Sequence, residues 1–150
     1  MWAFFDEMGK LDEKAMRLQV RTCIETGAYG ITILGLVTEM NKLSRDERQQ
    51  IVEWAGNEIS GRVPFAVTVP EPSIPGQIAF CHMAKDNGAD WVILQPPPVK
   101  GVGEAAYVDF FGRVVEACSL PVAIQNNPFN MDVSVSNAAL AQLGAQYDNL

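Results

Sequence analysis

ITILGLVTEMNKLSRDERQQ, residues 31–50, decides the fold. It opens as a nearly unbroken apolar run, breaks at Gly35, and re-forms as a helix announced by Ser44 and Glu47 in the S-x-x-E spacing of a capping box. An apolar run, a short loop and a capped helix make one βα unit. In α/β proteins the loop leaving the C-terminal end of a strand is where ligands are held, so the residues after Gly35 are the first place to seek chemistry.

The same unit recurs along the chain. The β-prone runs are WAFF (2–5), GITILG (30–35), VPFAVTV (63–69), DWVILQ (90–95) and PVAIQN (121–126). The inner ones are almost continuously apolar, which suits strands buried on both faces of a parallel sheet. The intervening segments carry helix signals. Asp12 is an N-cap, Met16, Val20, Cys23 and Ile24 recur at helical spacing, and Gly27 supplies a stop. Val52, Ala55 and Ile59 make one face of the helix that starts at Ser44 and ends at Gly61. A third helix opens near Ser73, carries Pro75 in its first turn and stops at Asn87-Gly88. A fourth runs from about Glu104 to Cys118, with Tyr107, Phe111, Val114 and Val115 on its inner stripe, and a fifth spans Ser136 to Leu143. No Pro/Gly/Ser linker interrupts the series, so residues 1–150 are read as a single domain. Five βα units fit either an open doubly wound sheet or part of a (β/α)₈ barrel. Length favours the open sheet, because a whole barrel needs about 250 residues. Against it, no GxGxxG or GxxxxGK[ST] loop follows the first complete strand.

Composition narrows the function. With 48% hydrophobic and 19% charged residues the chain can bury a sizeable core. A net charge of −7, with no cluster of Lys and Arg among aromatics, argues against nucleic acid. The opening MWAFFDEMGK is acidic where a signal or transit peptide is basic, and no apolar run is long enough to cross a bilayer. A cytoplasmic protein without membrane partners is expected. Cys23, Cys81 and Cys118 are far apart, lack CxxC spacing, and read as reduced core residues rather than metal ligands. The lone histidine, His82, sits in a helix away from any strand end, and Trp54 and Trp91 read as packing.

FDEMGKLDEKAM, GAYGITILGLVTEMNKLSRDER, GRVPFAVTV, AKDNGADWVILQPPP and LPVAIQNNP, in that order, resemble the dihydrodipicolinate synthase/N-acetylneuraminate lyase family. The resemblance covers essentially the whole chain and implies a (β/α)₈ barrel of which about the first five βα units are present, overriding the argument from length. It also implies a class I lyase or aldolase, usually homotetrameric, acting on a small 2-oxo acid with neither cofactor nor metal. In such chemistry a lysine amine condenses with the substrate ketone and the iminium withdraws electrons while a neighbouring bond breaks or forms.

The resemblance assigns positions residue by residue. The family's carboxylate loop, approximately G-[TS]-T-G-E, falls on Gly35, Leu36, Val37, Thr38 and Glu39, with Leu36 and Val37 in place of the two hydroxyl residues. Backbone N–H groups around Val37 and Thr38, with the Thr38 hydroxyl beside them, are the expected carboxylate donors. The tyrosine that relays protons on the fifth strand is replaced by Gln125, followed by Asn126 and Asn127. An amide donates and accepts hydrogen bonds but does not ionise. Asn130 stands near the position of the arginine of a true synthase, and Gln95 to Pro98 replace paired tyrosines carried by some relatives. The Schiff-base lysine of the family belongs to a sixth strand beyond these residues; Lys10, Lys14, Lys42, Lys85 and Lys100 all read as surface charges. Met40 and Phe129 follow the two site loops and are read as shaping a pocket or a subunit contact.

Two functions are therefore expected to compete. One is the N-terminal part of a Schiff-base lyase, dehydratase or aldolase acting on a 2-oxo acid, with a 2-keto-3-deoxy sugar acid preferred over the synthase substrates. The other is a truncated, non-catalytic half-barrel that works through self-association or a partner.

Overall fold

A computed structural model describes residues 1–99 and 101–150, which fall into two units. Lys100 lies outside the described residues. The first unit holds residues 1–68 and 83–90, the second residues 69–82 and 91–150.

In the first unit, helix α1 (Glu13–Glu25) begins where the Asp12 carboxylate accepts the Ala15 N–H at 2.9 Å. Met16 and Val20 are buried, and Gly27, at φ +88°, turns the chain out of the helix. Strand β1 (Ile31–Ile33) pairs in parallel with β2 (Phe65–Val69), Ile31 opposite Phe65 and Ile33 opposite Val67. Every residue of β2 is buried, as expected of a strand covered on both faces. The carboxylate of Asp90 accepts the Phe65 N–H at 2.7 Å while the Phe65 carbonyl accepts the Asp90 N–H at 2.8 Å, fixing where β2 starts. Helix α2 (Arg45–Ile59) starts with the capping box read from the sequence: Ser44 Oγ accepts the Glu47 N–H at 3.2 Å and Glu47 Oε2 accepts the Ser44 N–H at 2.7 Å. Ile51, Val52, Ala55 and Ile59 form its buried face. Glu58 ties the helices together, accepting from Arg21 at 3.1 Å with Arg17 at 3.8 Å.

The run WAFF is not a regular strand. Among the described residues its only ladder contact is an antiparallel bridge between Phe5 and Leu11, and Trp2, Phe4 and Phe5 are exposed. The cause is local: Asp6 Oδ1 accepts the N–H groups of both Met8 and Lys10 at 2.9 Å, so the segment folds back on itself.

In the second unit, residues 74–82 open helix α3 (Ile74–Asp86), with Pro75 in its first turn. Strand β3 (Trp91–Leu94) pairs in parallel with β4 (Val122–Ile124), Val92 opposite Val122 and Leu94 opposite Ile124. Helix α4 (Glu104–Ala117) buries Tyr107, Phe110, Phe111, Val114 and Val115. A short helix α5 (Pro128–Met131) and a longer α6 (Asn137–Gln146), capped by Ser136, complete the chain's elements. The Glu104 carboxylate accepts both the N–H and the hydroxyl of Ser136, at 2.6 and 3.0 Å, pinning the start of α6 to the start of α4. Cys81 and Cys118 are buried and unbridged, and the hydrogen bond to Cys118, together with burial, pushes the Cys81 thiol far above its usual range. Among the described residues no helix is long and apolar enough to cross a membrane.

Candidate active site

In the first unit the candidate residues occupy the loop after β1. The break in the apolar run is made by Leu34 rather than Gly35. Leu34 is fully buried and holds a left-handed backbone at φ +56°, whereas Gly35 is extended at φ −77°, ψ −174° and has open space where a Cβ would stand. A leucine in that region is strained, and such strain persists only where packing over-determines it. The chain then makes a 3₁₀ turn over Leu36–Thr38, and Glu39, at φ +53°, ends it.

This turn redistributes the donors expected of the loop. The Thr38 N–H donates to Gly35 O and the Glu39 N–H to Leu36 O, each at 3.0 Å. The Thr38 hydroxyl donates to the Met1 carbonyl at 2.6 Å, and the residue is 2% exposed. Thr38 therefore anchors the start of the chain, and its hydroxyl proton is already committed. The N–H groups of Leu36 and Val37 have no partner among the described residues, and both side chains are exposed. Glu39 pairs with Lys42 at 2.7 Å on the surface. A hollow of about 240 Å³ lies beside the turn, lined by Trp2, Phe5, Val37, Glu39, Lys42 and Leu43. Met40 is buried, so it supports the loop from beneath.

In the second unit the candidates follow β4, and they divide sharply. Asn126 uses both ends of its amide on one residue, donating to Val135 O at 2.8 Å and accepting from Val135 N–H at 3.1 Å. Asn127 is the N-cap of α5, its Oδ1 accepting from the Asn130 N–H at 3.3 Å and from Asn130 Nδ2 at 3.2 Å. These asparagines shape the loop. Gln125 is half-buried, its Oε1 accepts from Gln95 Nε2 at 2.8 Å, and its own Nε2 has no partner among the described residues. Phe129 is 93% exposed.

Behind Gln125 lies an amide pair that sequence reasoning passed over. Gln95, 5% exposed at the end of β3, reads in the sequence only as a departure from tyrosine. Fully buried Gln77 on α3 donates through Nε2 to the carbonyls of Glu71 and Gln95, both at 2.9 Å. A fully buried glutamine inside a helix of otherwise apolar inner positions was the available signal.

Lys10, Lys14, Lys42 and Lys85 are exposed, and no described group of three or more His, Cys, Asp or Glu residues is arranged to hold a metal ion. His82 is exposed on α3. The described residues thus offer hydrogen-bond donors after two strand ends, and their lysines are all exposed.

Comparison with known proteins identifies this architecture. The 4-hydroxy-tetrahydrodipicolinate synthase of Brucella suis is 29% identical over 146 residues, covering 97% of this chain and 50% of that protein. YagE, an E. coli K12 prophage protein of the dihydrodipicolinic acid synthase family solved in complex with pyruvate, superposes with a TM-score of 0.93 at 25% identity, over 99% of this chain and 50% of its own. The chloride-inhibited dihydrodipicolinate synthase of Acinetobacter baumannii, complexed with pyruvate, gives a TM-score of 0.92 at 25% identity, over 100% of this chain and 51% of its own. The chain spans about half the length of the relatives it matches, and its parallel strands and covering helices are those of the N-terminal half of a (β/α)₈ barrel. The sequence profile of the Dihydrodipicolinate synthetase family matches residues 1–150, and the chain belongs to that family.

Proposed function

We propose that these residues form the N-terminal part of a Schiff-base-forming lyase, dehydratase or aldolase whose substrate is a 2-oxo acid, of the 2-keto-3-deoxy sugar acid class. The observation that carries the reading is Gln125: within a family fold, the position after β4 holds a half-buried amide whose N–H₂ has no partner among the described residues. An amide cannot pass a proton between two co-substrates, as condensation by a synthase requires, but it can orient a substrate oxygen. A sugar acid supplies its own hydroxyls along the carbon chain, so a donor there suits it. In the first unit the N–H groups of Leu36 and Val37, without a partner among the described residues, separately suit a carboxylate, in the way fixed backbone donors hold anionic oxygens. The exposed Phe129 supports assembly through a subunit contact.

The iminium-forming lysine is assigned to the part of the relatives that this chain does not span. The contribution of the present residues is binding and orientation. The test is a substrate comparison on the naturally produced protein, with 2-keto-3-deoxy sugar acids in one set and pyruvate with an aldehyde in the other. Turnover of the first set is expected; efficient condensation with no cleavage or dehydration of sugar acids would overturn the reading.

A further inference from the structure

Gln125 has two ends, and its surroundings decide which one meets a ligand. We propose that Gln95 is a positioning residue that holds Gln125 Oε1 and thereby makes Gln125 a donor-only contact, selective for an acceptor oxygen of the ligand. The proposal rests on the functional reading for the identity of that ligand, a 2-oxo acid, and on the geometry for everything else.

The geometry starts one layer back. The main chain of Gln95 is held on both sides: its N–H donates to Val69 O at 3.4 Å, and its carbonyl accepts from buried Gln77 at 2.9 Å. The next strand is tied in by the Gln125 N–H, which donates to Leu94 O at 2.9 Å. Both glutamines therefore leave adjoining parallel strands with their backbones fixed. The Gln95 side chain is buried, and its Nε2 donates to Gln125 Oε1 at 2.8 Å. Turning the Gln125 amide over would set two N–H₂ groups face to face and leave a buried donor unsatisfied. With the Gln95 amide in this orientation, Gln125 keeps Oε1 toward Gln95, and its Nε2 has no partner among the described residues. A donor held this way recognises a carboxylate, carbonyl or hydroxyl lone pair and rejects a group that can only donate.

The experiment is a pyruvate titration of the naturally produced full chain, followed by ¹H–¹⁵N NMR with the Gln125 side-chain signals assigned by their loss in Gln125→Met. In the wild type, pyruvate is expected to move the Gln125 N–H₂ signals. Gln95→Met keeps the length and removes the donor, so it is expected to abolish that movement and weaken pyruvate binding about tenfold, while a dispersed backbone spectrum reports an intact fold. Gln95→Glu, which can only accept, is expected to turn the Gln125 amide over and weaken binding further. Unchanged affinity and an unchanged Gln125 response in Gln95→Met would overturn the proposal. So would backbone shifts at Gly35–Glu39 with no response from Gln125, and that result leaves the functional reading standing. If pyruvate moves no signal in the wild type, the functional reading fails, and the ligand-free spectra then decide the positioning role. Displaced Gln125 N–H₂ signals in Gln95→Met support it, and coincident ones overturn it.

Discussion

Replacing Gly56 by alanine sets two known effects against each other. In a helix interior alanine is favoured over glycine by about 1 kcal/mol, so Gly56→Ala in α2 should stabilise if the site is open. It is not open. A Cβ built at Gly56 meets the carbonyl oxygen of Asn87 at 2.1 Å and its carbon at 3.2 Å, where real Cβ contacts essentially never fall below 3.0 Å. The obstacle is backbone at the end of α3, so relief requires the helix end to move by about an ångström rather than a side chain to swing. Overpacking of a tight contact costs about 1–3 kcal/mol, and a backbone obstacle belongs at the upper end. The net expectation is destabilisation of about 2 kcal/mol, read as a lower urea midpoint at unchanged slope. Gly112→Ala is the control. Its Cβ would meet Tyr147 Oη at 2.8 Å, the tip of a side chain that can turn away, so the variant should fall within about 1 kcal/mol of wild type. A stabilised Gly56→Ala, or equal losses in the two variants, would refute the packing argument.

Two further perturbations test local claims. Ser44→Ala removes one half of the capping box at α2 and should cost about 1 kcal/mol in a denaturant melt, with Ser44→Asp recovering most of it. Cys81 carries a raised pKa, so its contribution is intact below the unfolded value of 9.0 and is lost as pH rises above it. Between pH 9 and 10 the wild type should therefore lose about 1 kcal/mol more stability than Cys81→Ala, measured as the difference between urea melts at the two pH values.

Much of the fold was legible because its signals are short-range. Asp12, Ser44 with Glu47, Ser136 and the apolar stripes of α2 and α4 each act within one or two helical turns, and the helices lie where those residues put them. WAFF misled because apolar content speaks for burial, while Asp6 spoke more strongly for a turn. The break at residue 34 was hidden because glycine is the usual left-handed residue, and here a buried leucine takes that backbone.

The site was legible in part. Asn127 before Pro128 is an N-cap and first-turn proline, a local signal that explains the asparagine without a ligand. The commitment of Thr38 to Met1 and the pairing of Gln95 with Gln125 were not legible. The partners are 37 and 30 residues apart, and only the folded register brings them together. Position-by-position family likeness located Gln125, but which end of its amide is free is a property of the strand pair.

The most direct test of the lyase reading is borohydride reduction of the naturally produced protein with pyruvate, followed by intact mass and peptide mapping. The expected result is one reduced adduct per chain, on a lysine outside these 150 residues. No adduct, or an adduct on Lys10, Lys14, Lys42, Lys85 or Lys100, would contradict it.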